Sequence, residues 1–261
     1  MKQIIILILL FAFPILSTAQ EAENKSTKTN SWNPKPKELI HQFNTRNKHL
    51  NLVYKDGQYG FTDKKGKLIR DYQYENVKLS TDKIIKVKKS INNVLTDFLI
   101  NTLGKEYKVA YRIEDLDASI QALDLKSNGL DKVPTEIAQH PQLKVLMLSD
   151  NSITELNTIE GLINLEHLDL SYNKLTRIEG LDKLTTLNTL NLHNNQLRQI
   201  EGLDKLMALQ ELYLGNNELT KIEDLEKLTT LRELDLSYND TALQPDIETL
   251  KMKLPDCNIK S

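Results

Sequence analysis

The chain has 261 residues, a formal net charge of −2, 27% charged and 39% hydrophobic residues, and one cysteine. This composition suits one or two packed domains, and a lone cysteine excludes an internal disulfide framework and any cysteine-based zinc site. The halves differ in charge: residues 1–119 carry 20 Lys and Arg against 13 Asp and Glu, and residues 120–261 carry 14 against 23, so nucleic acid is not an expected partner of the acidic half.

Met1-Lys2 gives a short positive start, Ile4 to Leu16 is apolar throughout, and Ser17-Thr18-Ala19 supplies small residues before Gln20. This is the pattern of a secretory signal, and the apolar run is short for a membrane span. Residues 1–19 are therefore expected to be cleaved, leaving an exported bacterial protein, secreted or periplasmic, with no stable membrane anchor. Residues 20–49 read as a flexible linker with room for a short helix. The stretch QEAENKSTKTNSWNPKPK is polar, rich in lysine and broken by prolines, and holds the only tryptophan, Trp32.

Residues 50–108 change to short alternating runs: LVYKDGQYGF, KLIRDYQYENVKL and KIIKVKK. Asp56-Gly57 and Lys65-Gly66 separate them as hairpin turns do, which predicts a small β-rich meander. The string KDGQYGFTDKKGKLI resembles the WG repeat, a β-rich unit found in tandem in bacterial proteins, with Tyr59-Gly60 at its Trp-Gly position and Gly66 at its second glycine. A degenerate second copy begins near Lys88 and keeps Asp97 and Gly104-Lys105. The meander is expected to abut the next domain, and its Lys64, Lys65, Lys86, Lys88 and Lys89 to line a solvated strand face.

The second half is periodic. IQALDLKSN, LKVLMLSDN, LEHLDLSYN, LNTLNLHNN, LQELYLGNN and LRELDLSYN begin at Ile120, Leu143, Leu165, Leu187, Leu209 and Leu231, spaced by 23 and then four times by 22 residues. The pattern L-x-x-L-x-L-x-x-N resembles the leucine-rich repeat, in the 22-residue class shared by internalins and a eukaryotic phosphatase-regulating subunit. The resemblance implies an α/β fold: a leucine-rich-repeat solenoid with parallel strands on its concave face, preceded by the β-rich meander. Residues 109–142 read as the N-terminal cap and first repeat, 143–244 as further repeats, and 245–261 as a C-terminal cap of short helix, Pro255 and extended end, with Cys257 packed beneath it. Asn128, Asn151, Asn173, Asn195, Asn217 and Asn239 form the expected ladder that satisfies backbone groups where each strand ends. Gly180 and Gly202 mark the convex turn. Asp224 in the next copy suggests that positive φ is not obligatory there.

Function on such a scaffold comes from the residues it presents. Alternate strand positions face out of the concave side. One column holds Ala122, Val145, His167, Thr189, Glu211 and Glu233. The next holds Asp124, Met147, Asp169, Asn191, Tyr213 and Asp235. A third holds Lys126, Ser149, Ser171, His193, Gly215 and Ser237, with Tyr172 and Tyr238 one step beyond. Met147, Tyr213, Tyr172 and Tyr238 are candidate anchors. His167, Asn191 and His193 lie among them, and Asp169, Glu211, Glu233 and Asp235 form an acidic patch. Together these eleven predict a protein partner of basic character. Ser171, His193 and Asp169 invite comparison with a hydrolase triad, but no nucleophile elbow accompanies them. No His or carboxylate set has metal-ligand spacing, and no cofactor is expected. The reading is an exported, non-enzymatic recognition module. An enzyme inhibitor or regulatory subunit, or a surface adhesin, are the alternatives.

Overall fold

The structure is a computed structural model and describes residues 35–79, 84–156 and 158–261. The signal-like segment, its cleavage position and Trp32 lie outside the described residues. Helix α1 (Pro36–Arg46) starts with a proline in its first turn, carries Glu38 near its N-terminus and Arg46 in its last turn, and buries Leu39 and Phe43 on one face. Two asparagines fix where it delivers the chain. Asn47 Oδ1 accepts the amides of His49 and Leu50 at 2.9 and 2.7 Å, and Asn44 Oδ1 accepts that of Leu52 at 2.6 Å. The segment 46–49 is thereby tied to strand β1.

Strands β1 (Leu50–Lys55), β2 (Gln58–Asp63) and β3 (Leu68–Tyr74) form an antiparallel three-stranded sheet. At Gly60 a side chain would meet the Arg70 carbonyl at 2.9 Å, so glycine lets β3 close against β2. Strands β4 (Asn76–Leu79), β5 (Ile84–Ile91), β6 (Val94–Asn101) and β7 (Glu106–Ala110) form a second antiparallel run. The two runs repeat one kind of turn. Asp63 Oδ1 accepts the amides of Lys65 and Lys67 at 2.9 and 2.8 Å, and Asn101 Oδ1 those of Leu103 and Lys105 at 3.1 and 2.8 Å, with Gly66 and Gly104 both at positive φ. Leu39, Phe43, Leu52, Phe61, Tyr74, Val87 and Ile100 pack between the sheets.

The meander does not merely abut the repeats. β7 pairs in parallel with β8 (Ala122–Asp124), the first strand of the solenoid, so β4 to β7 belong to the same eleven-stranded sheet. The physical reason is the first strand's edge, whose amides and carbonyls would otherwise be left open. From β8 the sheet continues in parallel through β9 (Val145–Met147), β10 (His167–Asp169), β11 (Thr189–Asn191), β12 (Glu211–Tyr213) and β13 (Glu233–Asp235) to β14 (Asn258–Lys260), each strand in register with the last. Leu168, Leu190, Leu212 and their equivalents point into a single core, closed from the convex side by residues such as Leu175, Ile178, Leu181 and Leu184. Helix α2 (Gln244–Lys253) buries Ile247 and Leu250 against the far end, and Cys257 packs on the same core. No described helix is long and apolar enough to cross a membrane.

Two readings of the framework are corrected. The convex turn is left-handed in four successive copies, at Thr158 (φ 78), Gly180 (74), Gly202 (74) and Asp224 (68), whereas the first copy has Pro134 at φ −60 there. Asp224 does not relax the requirement. The stacked neighbours hold the turn and a non-glycine residue adopts it. Asn128 stands outside the ladder. Asn173 Nδ2 donates to the carbonyls of Leu148 and Leu170, both at 3.0 Å, and its Oδ1 accepts the Ile153 amide at 3.0 Å. Asn195 and Asn217 repeat this one copy on. Each amide thus reaches back to the preceding repeat. Asn128 has no repeat behind it, is exposed, and its side chain makes no hydrogen bond among the described residues.

Candidate functional site

The concave side is roofed at one end. Ile84, Leu99, Tyr107 and Val109 of β5 to β7 share a buried cluster with Ala122, Val145 and Met147. Met147, expected as an exposed anchor, is 0% exposed; the curled meander strands cover the first two repeats and take it out of reach. Polar ties hold this cover. Glu166 Oε2 accepts from the Tyr107 hydroxyl at 2.8 Å, Lys105 Nζ lies 2.6 Å and Lys144 Nζ 3.0 Å from Glu166 Oε1, and Lys86 pairs with Asp124.

Beyond the cover, Arg46, Lys48 and His49 hang over the remaining concave face and turn it into a cleft of about 530 Å³. Its floor includes His167, Asp169, Asn191, His193, Tyr213, Glu233 and Asp235, with Tyr172 on its edge. A neighbouring hollow of about 370 Å³ shares Lys48, His49, His167, Thr189 and Glu233 and adds Glu211 and the 101–103 turn. Ten of the eleven candidate residues thus line one of these hollows or, for Tyr238, stand exposed at 80% further along the solenoid, and Met147 does neither.

The carboxylates are partly engaged by their own strands. Asp169 Oδ1 accepts the amide and hydroxyl of Ser171 at 3.0 and 2.7 Å, and Asp235 Oδ1 those of Ser237 at 2.9 and 2.5 Å. Asn191 and Asp124 take the amides of His193 and Lys126 in the same way. The recurring Asp or Asn two places before the acceptor's partner is the sequence signal for this Asx turn, and reading the carboxylates as a free patch overlooked it. Asp169 is 2% exposed and borders the cleft rather than projecting into it. Burial works against ionising Asp235, but Ser237 and then Lys260, at 3.1 Å from Oδ2, hold its carboxyl below the ordinary range. Burial, together with the charges of Glu211 and Glu233, pushes the Tyr213 hydroxyl up, so it remains a neutral donor.

Ser171 gives its hydroxyl to Asp169 and makes no hydrogen bond to His193 among the described residues, so these three side chains do not assemble as a triad. Among the described residues, no group of His, Cys, Asp and Glu is placed to hold a metal ion.

Tyr172 and Tyr238 sit at a strand exit whose φ is positive in every copy, from 55 to 58°; the other copies place Ser127, Asp150, Asn194 and Asn216 there. Bulky residues are uncommon in this conformation. Tyr172, 53% exposed, stacks edge-on against His193 with ring centroids 5.7 Å apart. The lip residues Arg46, Lys48 and His49 were missed because no local pattern joins residue 46 to residue 235; only the packing of α1 and β1 brings them together. Ser149, by contrast, was placed on the concave face by its column, was left out of the candidates, and lines the cleft.

Comparison with known proteins matches residues 118–175 to a family model described as leucine rich repeat, and residues 163–205 and 208–251 to one described as leucine rich repeats in two copies. No curated protein matches the chain. Similar solved structures include an internalin from Listeria monocytogenes at 24% identity, covering 55% of this chain and 48% of that one with a TM-score of 0.46. Internalin C2 from the same organism matches at 32% identity, covering 46% and 53% with a TM-score of 0.44. The ectodomain of a plant membrane receptor kinase from Arabidopsis thaliana matches at 24% identity, covering 58% and 19% with a TM-score of 0.48. This chain spans about half the length of the two internalins.

Proposed function

The chain belongs to the leucine-rich repeat family, and we propose that it is an exported, non-catalytic recognition module that takes a protein partner in the cleft between its concave face and the 46–49 lip. Leucine-rich repeat domains are protein-interaction modules, so a protein-binding role fits. The observation that carries the choice of face is the contrast between framework and columns. Leucine and asparagine positions stay fixed from copy to copy, whereas the strand positions lining the cleft change from His167 to Thr189 to Glu211 and from Asp169 to Asn191 to Tyr213. A face that served the fold alone would have no need of that variety.

Export rests on Lys2, the Ile4–Leu16 run and Ser17-Thr18-Ala19. Intact mass of the native protein tests it: a chain beginning at Gln20 is expected, and one beginning at Met1 contradicts export with cleavage. The binding face is tested on a partner captured from native envelope or culture fluid. Tyr213→Ala and Asp235→Lys should each weaken binding, the first by about 2 kcal/mol if Tyr213 is an anchor, with folding intact. Unchanged binding in both, with loss in the convex-side variant Lys205→Glu, places the partner elsewhere.

A further inference from the structure

At Ser149 the repeat leaves a hydrogen bond unmade. The register of β8, β9 and β10 sets Lys126, Ser149 and Ser171 side by side in the third column, one strand apart. The backbone ladder continues beneath them, with the Ser127 amide donating to the Ser149 carbonyl and the Asp150 amide to the Ser171 carbonyl, both at 3.0 Å. Elsewhere in this column a serine gives its hydroxyl to the carboxylate two places earlier, Ser171 to Asp169 and Ser237 to Asp235. In the Ser149 repeat that place holds Met147, which belongs to the apolar cluster under the meander and offers no such acceptor. Ser149 is 2% exposed and borders the cleft, and its hydroxyl has no hydrogen-bond partner among the described residues. A buried donor left unmatched is costly in the fold alone and is met when a ligand supplies the acceptor.

The charges around that hydroxyl fit the same ligand. Lys126, Arg46 and Lys48 line the cleft, are exposed, and make no ion pair among the described residues. The carboxylates of the floor are already engaged: Asp169 by Ser171, Asp235 by Ser237 and Lys260, and Glu233 by the Tyr213 hydroxyl. We propose that the cleft takes an acidic segment of a partner polypeptide, with an aspartate or glutamate carboxylate of that segment held by the Ser149 hydroxyl and the Lys126 ammonium. Arg46 and Lys48 of the lip add positive charge to the same seat. This rests on the protein-recognition reading and narrows it. The sign is opposite to the one the strand columns alone predict, because the columns hold the engaged carboxylates and omit the lip. Both bonds to the incoming carboxylate are charge-assisted, the stronger kind. A polypeptide suits the cleft better than a lone anion because the floor runs on past the seat to His193 and Tyr213, with Tyr172 at the edge. A small anion would leave those rings uncovered.

The test uses the whole folded chain and a positional-scanning library of hexapeptides, acetylated and amidated so that only side chains carry charge. The expected result is selection of Asp or Glu over Gln and Lys at one position by about tenfold at low salt, shrinking as salt rises. Lys126→Gln should abolish that preference. Ser149→Ala should weaken binding several-fold while leaving the thermal midpoint unchanged or higher, because it removes an unmatched hydroxyl. If Ser149→Ala fails to fold, Lys126→Gln, at an exposed position, decides alone. No selection, selection of Lys or Arg, or binding that either folded variant leaves unchanged overturns the proposal. Inorganic phosphate that binds as tightly as the best peptide, and is lost in Lys126→Gln, identifies a free anion as the ligand and also overturns it. Tyr213 and Asp235 lie three and four strands from Ser149, so their variants test the broader reading separately. Failure here alongside a captured partner that still depends on Tyr213 leaves that reading standing. Loss of both removes both.

Discussion

The Tyr107 hydroxyl donates a 2.8 Å hydrogen bond to Glu166 Oε2, joining β7 to the start of β10 across the two intervening strands β8 and β9. The ring lies in the buried cluster over Ala122 and Val145, so this bond is how the meander closes on the repeats. Tyr107→Phe should cost about 1 kcal/mol, because Glu166 keeps Lys105 and Lys144. Glu166→Ala should cost more, since it strands the buried phenol and two lysines. Urea unfolding measures both; equal and negligible effects would mean that the cover is held by its apolar cluster alone.

The same carboxylate gives the junction a pH dependence. Burial would raise the Glu166 pKa, but hydrogen bonds from Lys105, Tyr107 and Lys144 outweigh it and hold the group below 4.5, its ordinary value. A group depressed in the folded state stabilises fully above its unfolded pKa and loses that contribution as pH falls through the folded one. Wild type should therefore exceed Glu166→Gln in stability near neutrality, and the gap should close as pH falls below the ordinary carboxylate range. A gap that widens in acid contradicts the assignment.

Asn195 and Asn128 separate a ladder residue from one outside it. Asn195→Ala leaves the Leu170 and Leu192 carbonyls and the Leu175 amide without the side chain that satisfies them, and should cost about 1–3 kcal/mol. Asn128→Ala should stay within about 0.5 kcal/mol. Denaturant midpoints showing equal losses would mean that a common turn preference, not the reach to the preceding repeat, sets the cost.

Leu190 is an inward strand residue in the middle of the solenoid and is fully buried. Leu190→Asp places an unpaired charge in the core and should cost about 4 kcal/mol or more, spreading to neighbours because each repeat leans on the next. Circular dichroism should show a lower and broader melt. An unchanged melt contradicts the register.

The solenoid was legible because its information is local and repeated: a leucine every few residues, an asparagine at each strand exit, one period throughout. What stayed hidden was non-local. No pattern near Met147 announces that Ile84 and Leu99 will cover it, and none near Arg46 places it over Asp235. The turn at Asp224 misled for a related reason. A single residue suggested a relaxed φ, but the turn is imposed by the copies stacked on either side. At Asp169 and Asp235 the local signal was present, a carboxylate two places before a serine, and its meaning was structural before it was functional.

Burial, and next the charge of Glu233, raise the Cys257 thiol to about 11. At mildly alkaline pH its thiolate should be about a hundredfold scarcer than that of an ordinary cysteine, with alkylation slowed in proportion. Iodoacetamide labelling of native against denatured protein measures this. Equal rates would mean that the C-terminal cap opens readily.

Where the partner sits can be read most directly by hydroxyl-radical footprinting of the full chain, free and bound to its captured partner. Tyr172, Tyr213, His193 and His49 line the cleft, whereas Met207 and Met252 are exposed and outside it. Recognition in the cleft predicts that oxidation of the first four falls on binding while the two methionines stay reactive. Protection of Met207 and Met252 with Tyr213 and His193 unchanged would contradict it.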